Sequence, residues 1–271
     1  MRKNAIYNFI LLGITALMLF SCSAYDKILK SSDYDLKYRK AFEYYNKKDY
    51  ARAATIFEQI VNVYRATAKG DSVMYFYAKS YYGSEDYIMA GHYFKEFSDN
   101  YGRSPFVEEA DYLVGYCLYL MSPRPSLDQE NTRLSIQSFQ KFLYKHPESK
   151  YIPECKRLIV EMNNKLAEKA YLSAAQYYNM GSVDTRYYKA AIVSLRNCLS
   201  EFPDNKFRED LMFMILQSNY QIAENSIPEK MKERFQATLD EYYTYMGEFP
   251  SGKYTKDVIR IYDYTKQILG L

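Results

Sequence analysis

A chain of 271 residues can hold one large or two ordinary domains, and its 48% apolar content supplies a sizeable core. Ten Gly and eight Pro against 32 Tyr and no Trp disfavour an all-β fold, which needs many tight turns. A net charge of +3 lacks the basic footprint of a general nucleic-acid binder.

The first residues read as an address. Arg2 and Lys3 form a positive start, and Ile6 to Phe20 is mostly apolar. A helix over that stretch rises about 22 Å, short of a bilayer core of about 30 Å, so residues 1–21 are expected to be a cleaved secretory signal. Leu19-Phe20-Ser21-Cys22 resembles the bacterial lipobox, which implies lipidation at Cys22 and cleavage before it. Ser23 stands where an aspartate would suggest retention at the inner membrane. The expected product is held by acyl chains on the periplasmic face of an outer membrane, and more than one chain makes such an anchor stable. Residues 22–32 are expected to be a lipidated tether. Cys117, Cys155 and Cys198 remain, an odd number that suggests no disulfide framework. Their spacing matches no zinc site, and Cys117 and Cys198 fall at helical core positions.

Repeats begin near Asp33. Tyr38, Tyr75 and Tyr112 stand 37 residues apart, as do Tyr45, Tyr82 and Tyr119, with Ala41, Ala78 and Gly115 between them. That period belongs to stacked helical repeats. In the first, Tyr38, Ala41, Phe42 and Tyr45 mark one helix, Asn46 to Asp49 a turn, and Ala53, Ile56, Phe57 and Ile60 a second helix. A small residue on each helix lets the axes approach while large neighbours fill the flanks. The second repeat follows with Tyr75 to Tyr82, then Ala90, Phe94 and Phe97. The third begins at Tyr112, is swollen by a loop over Met121 to Asp128, and resumes with Ser135, Phe139 and Phe142. Such a loop is either a binding element or a tolerated insertion.

A long helix over 153–180 ends in Tyr171, Ala174, Tyr177 and Tyr178 and leads into a fourth repeat with Ala191, Leu195 and Cys198. A degenerate fifth covers about 209–246. A closing helix over 256–269 is expected to cover the last apolar face with Val258, Ile259, Tyr262 and Ile268, as solenoid ends require. The turns between repeats echo one another: Tyr101-Gly102-Arg103-Ser104-Pro105-Phe106, His146 to Tyr151, Phe202 to Phe207 and Phe249 to Tyr254. Each has a ring, a Pro or Gly stop, a small polar residue suited to capping the next helix, and a ring that packs back. The fold expected is all-α, an α-α superhelical solenoid of about five tetratricopeptide-like helix pairs. Residues 33–151 hold repeats 1–3 and residues 152–271 hold repeats 4–5 with the capping helix.

A lipobox followed by about five such repeats, with turns reading Phe/His-Pro-x-Ser/Asn-x-aromatic, resembles the BamD (YfiO) family of outer-membrane lipoproteins of the β-barrel assembly machinery. The resemblance covers essentially the whole mature chain. It implies a non-catalytic protein whose C-terminal half docks on the periplasmic domains of the barrel-assembly protein BamA. The N-terminal half then receives unfolded outer-membrane proteins through their aromatic-rich C-terminal strands, and other lipoproteins of the machinery are further partners. In the family a basic residue near the Pro-Asp turn before the fifth repeat meets an acidic residue of the partner. Here Lys206 or Arg208 is the candidate for that role.

In repeat geometry, Tyr38, Phe42, Tyr45, Tyr75, Tyr82, Tyr112, Tyr116 and Tyr119 lie toward the concave side of the first helices. They are either a groove for an extended apolar and aromatic peptide, for which tyrosine offers large rigid area with a polar tip, or aromatic packing between repeats. No enzyme chemistry is expected. The two histidines, His92 and His146, are far apart, and no phosphate-binding loop, GxSxG or HExxH occurs. Carboxylate pairs such as Glu108-Glu109 read as first-turn helix charges. No cofactor or metal is expected. Two other classes share the scaffold: an envelope or peptidoglycan assembly lipoprotein, and a SusD-like nutrient-uptake lipoprotein, a class usually much longer.

Overall fold

Helix follows helix over residues 24–271, the part of the chain that the computed structural model describes, and no strand occurs among them. The signal segment and the lipidation site Cys22 lie outside the described residues. Residues 24–30 form α1. The order continues α2 (Tyr34–Asn46), α3 (Tyr50–Tyr64), α4 (Gly70–Gly83), α5 (Tyr87–Asn100), α6 (Val107–Leu120), α7 (Glu130–Lys145), α8 (Ile152–Gly181), α9 (Arg186–Glu201), α10 (Arg208–Glu224), α11 (Pro228–Glu248) and α12 (Thr255–Leu269). Consecutive helices pack as pairs in the tetratricopeptide manner. No described helix is long and apolar enough to cross a membrane.

The chain forms two compact units. The first runs to Ser122 and takes in Glu130–Lys156; the second takes in Pro123–Gln129 and Arg157–Leu271. In the first, Ala41, Ala53 and Phe57 and then Ala78, Ala90 and Phe94 are fully buried, so each helix pair meets across two small residues with a ring beside them. The third pair uses Gly115 and Ser135. The Ser135 hydroxyl donates to the Gly115 carbonyl at 2.8 Å, and a Cβ on Gly115 would stand 2.9 Å from the Phe139 ring. In the second unit Ala174, Ala191 and Leu195 play the same parts.

The turns inside the first two pairs are alike. Lys48 and Glu85 take left-handed φ values of 60° and 61°, and the next residue caps a helix: Asp49 accepts from the Arg52 amide and Asp86 from the Met89 amide. The loop of the third repeat folds within the second unit, where the buried Gln129 donates to the Arg124 and Leu127 carbonyls and Lys169 donates to that of Ser126.

Between repeats, a ring on the first helix stacks flat on the ring that closes the following turn. Tyr75 lies on Phe106 (centroids 4.5 Å apart, planes 10°), Tyr112 on Tyr151 (4.3 Å, 10°), Tyr171 on Phe207 (4.2 Å, 5°) and Phe213 on Tyr254 (4.0 Å, 8°). The turn after the first repeat departs from this: Lys69 takes the ring's place, its ammonium 4.6 Å from the Tyr38 centroid. The small polar residues cap no helix. Ser104, Ser149 and Asn205 accept the amide two residues on, at 3.3, 3.1 and 2.8 Å, and so close the turn itself. The ring residues Phe106, Phe207 and Tyr254 are the N-caps, with no side-chain capping bond.

Two further details differ from the sequence reading. The stretch expected to be a tether is helical over 24–30, buries Ile28 in the first unit's core and sets Tyr25 edge-on to Tyr44. The closing helix buries Val258, Ile261 and Thr265, whereas Ile259 and Ile268 are 41% and 39% exposed. The i, i+3, i+7 spacing selects one face; Ile259 falls off it, whereas Ile268 continues it but lies one residue before the helix end, where no further described helix covers it.

Candidate functional site

The rings picked out by the 37-residue period come together in the first unit. Tyr38 contacts Phe42 at 4.8 Å between centroids, and Phe42 and Tyr45 meet Phe76 at 5.0 and 4.9 Å. Phe76 then meets Tyr75 at 5.3 Å. Tyr112, Tyr116 and Tyr119 form a second series at 5.5 and 5.6 Å, and Tyr82 meets Tyr87 at 5.7 Å. Their depths differ. Tyr75 is 3% exposed and belongs to the core, while Tyr38, Phe42, Tyr45, Tyr82, Tyr112, Tyr116 and Tyr119 are half-buried. Burial pushes the Tyr45 and Tyr82 phenols up to about 12. Burial also raises Tyr112. All three therefore remain neutral hydrogen-bonding groups at physiological pH.

An ion pair sits among these rings. Lys79 reaches Glu109 at 2.9 Å, and its ammonium lies 5.9 Å from the Tyr75 centroid and 5.7 Å from that of Tyr82. Burial pushes the Glu109 carboxyl up, but the Lys79 hydrogen bond and charge, joined by the Tyr75 hydroxyl, more than offset this and hold it below its ordinary value. In the sequence Glu109 reads as a first-turn helix charge, and its grouping with Lys79 and Phe76 emerges only in the fold. The period itself could have found Lys79. It stands 37 residues after Phe42 and 37 before Tyr116, a cation where the neighbouring repeats carry a ring.

The two candidate docking residues lie in the second unit and are engaged there. Lys206 pairs with Glu168 at 3.2 Å and lies 4.8 Å from the Phe207 centroid. Arg208 grips Glu248 with two nitrogens, Nε on Oε1 and Nη2 on Oε2 at 2.9 Å, while Nη1 donates to the Pro203 carbonyl at 3.1 Å. Glu248 has no signature in the repeat pattern.

Reactive groups are otherwise subdued. Cys117, Cys155 and Cys198 are free and buried, and burial pushes their thiols up to about 12, 11 and 11. A thiol so raised is a poor nucleophile. His146 bonds Asp111 at 2.8 Å, and His92 stands 4.0 Å from Glu96 on an exposed helix face.

Residues 31–232 match the model of the YfiO family, described as an outer membrane lipoprotein. The chain belongs to that family. It is also 27% identical over 219 residues to a protein of Aquifex aeolicus (strain VF5) named as outer membrane protein assembly factor BamD, a match covering 80% of this chain and 69% of the relative. Family membership bears out the resemblance read from the sequence and associates the protein with the outer membrane. The matched span contains the whole tyrosine row together with Lys206 and Arg208, and ends within α11 before Glu248.

Proposed function

We propose that this protein is a non-catalytic scaffold of outer-membrane β-barrel assembly. It is anchored by lipid on Cys22 to the periplasmic face of the outer membrane, docks through its second unit on a BamA-type protein, and holds segments of unfolded outer-membrane proteins on its first. The observation that carries the reading is the half-buried ring row around the Lys79–Glu109 pair. Those rings keep apolar faces and polar tips available to an extended chain, and Tyr75 backs them from the core. A peptide crossing the row meets rings for its apolar side chains and a charged pair for its backbone dipoles. Family membership supports the setting, and the relative named for outer-membrane protein assembly supports the role.

On this reading Arg208 docks by exchange. Its fork already holds Glu248, so a partner carboxylate replaces Glu248 and the guanidinium never stands unpaired. The experiment has two arms. Replacing Tyr82 and Tyr116 by Ala weakens binding of an aromatic-rich C-terminal strand peptide by at least about tenfold, with the helical circular dichroism unchanged. Arg208→Glu abolishes co-purification of the BamA-type protein. Native peptide affinity in the folded double variant sinks the receiving surface, and native recovery with Arg208→Glu sinks the docking residue.

A further inference from the structure

The 37-residue period gives each groove of the first unit an internal control. Over α4, between α3 and α5, runs a groove of about 290 Å3 lined by Tyr77 and Tyr93, with Glu58, Asn100 and Glu96, the last paired with Arg65 at 3.1 Å, on its walls. Tyr77, Tyr81 and Tyr93 close on one another there, with centroids 5.2, 4.4 and 5.3 Å apart, and the Tyr77 hydroxyl bonds both others at 3.3 and 3.2 Å. One repeat later, over α6 and between α5 and α7, runs its counterpart of about 390 Å3.

The counterpart has lost the tyrosine trio and gained lysines. Val114 and Leu118 stand 37 residues after Tyr77 and Tyr81. Ser138 stands in the place of Tyr93, directly before Phe139 as Tyr93 is before Phe94. On the walls Lys95 follows Glu58 by 37 residues, and Lys141 and Lys145 replace Glu96 and Asn100 in the same register against Phe142 and Phe97. Lys95 and Lys141 make no ion pair among the described residues. Two carboxylates line the groove as well: Asp99, and Asp111, which is already held by Lys145 at 2.6 Å and His146 at 2.8 Å. Leu134, 38% exposed, completes an apolar wall. The groove is thus the place of the tyrosine trio without its three rings, with three lysines against two aspartates on its walls.

We propose that this groove docks an acidic segment of a partner protein that carries aromatic side chains. Its rings fill the volume that the tyrosine trio fills one repeat earlier, and its carboxylates meet Lys95 and Lys141. The groove uses Asp111, Val114 and Leu118 of α6, whereas the ring row uses Tyr112, Tyr116 and Tyr119. At 100° per residue these are different faces of one helix, so both surfaces can be occupied at once. The proposal stands apart from the receiving role of the ring row.

The test uses the full chain in detergent and two labelled peptides, one alternating Glu with Tyr and Phe, the other with Lys in place of each Glu. The acidic peptide is expected to bind at least about tenfold more tightly than the basic one, and less tightly as salt rises. Refilling the groove with Val114→Tyr, Leu118→Tyr and Ser138→Tyr together lowers acidic-peptide affinity at least about tenfold. Should that variant fold poorly, the surface pair Lys95→Glu and Lys141→Glu gives the same loss and reverses the charge preference. Tyr82→Ala leaves this binding unchanged. Equal binding of the two peptides, or native affinity in the lysine variant, overturns the proposal. So does a concentration-dependent dimer that the lysine variant abolishes, because the occupant is then a second copy.

Discussion

The two units share one repeat plan and hold their repeats together differently. In the first, rings join helix to helix: Phe42, Tyr45, Tyr75 and Phe106 all reach Phe76, and a charged pair is set among the tyrosines. In the second, rings retreat largely to the turn stacks and the closing helix, and partly exposed ion pairs span the repeats: Lys206 to Glu168, Arg208 to Glu248, Arg196 to Glu241 and Lys253 to Asp210, where the first unit has Arg65 to Glu96 besides Lys79 to Glu109. Rings fix spacing through burial and cannot be traded without loss. Exposed ion pairs contribute little to stability, roughly 0–1 kcal/mol each, and can change partner. The function proposed above would place a receiving surface on the first arrangement and a docking surface that exchanges one carboxylate for another on the second.

The comparison is easiest to break at the shared stack. Tyr75 and Tyr171 make near-identical flat contacts, but Tyr75 is buried and Tyr171 half-exposed. Tyr75→Ala leaves a cavity in the core and is expected to cost about 3–5 kcal/mol. Tyr171→Ala loses the stack and part of its apolar burial, about 1–2 kcal/mol. Urea unfolding followed by circular dichroism reads both. Equal losses would mean that the stack, and not the depth beneath it, sets the cost, and the distinction between the units would fall.

How much of this was legible follows from what a period can encode. Tyr38, Tyr75 and Tyr112 announce repeats because equal spacing puts them at equivalent places, and the turn rings from Phe106 to Tyr254 announce the joints. Equivalent place is not equivalent depth: Tyr75 lies under neighbours on both sides while Tyr82 stays half-buried, and depth depends on the repeats that flank a position. Departures from the period carried more information than its matches. Lys69 and Lys79 each stand where other repeats have a ring, and Val114, Leu118 and Ser138 each stand where the preceding repeat has a tyrosine. Glu248 was invisible because its partner, Arg208, is 40 residues away in the degenerate repeat, where no register connects them.

A smaller effect separates the units by pH. Glu109 and Asp111 of the first unit are held below their ordinary values of 4.5 and 3.8: burial raises each, and the bonds from Lys79 and from His146 and Lys145 outweigh it. A carboxyl depressed on folding adds stability that is present above its ordinary pKa and lost as pH falls through the folded value. The first unit is therefore expected to weaken below about pH 4.5. Amide hydrogen exchange should show protection falling in α4 and α6, and Glu109→Gln should flatten part of that fall. Protection in α6 that does not change down to about pH 3 would show that the Lys79–Glu109 pair does not stabilise the ring row.

The smallest effect lies at the tight turns, where the first unit alone carries backbone strain among the described residues. Lys48 and Glu85 occupy the left-handed region at φ 60° and 61°, whereas the second unit reaches positive φ only at Gly270. A side chain there crowds the following carbonyl and costs about 1–2 kcal/mol, which glycine avoids. Glycine also loses more chain entropy on folding, about 0.5–1 kcal/mol. The difference leaves Lys48→Gly and Glu85→Gly each stabilising by about 0–1.5 kcal/mol, seen as a rise in Tm of a few degrees. Both turns precede an aspartate cap that fixes the second helix of its repeat, so the gain should appear as slower exchange at the starts of α3 and α5. A lower Tm in both variants would mean that Lys48 and Glu85 make contacts worth more than the strain, and that the regular spacing of the ring row begins at its turns.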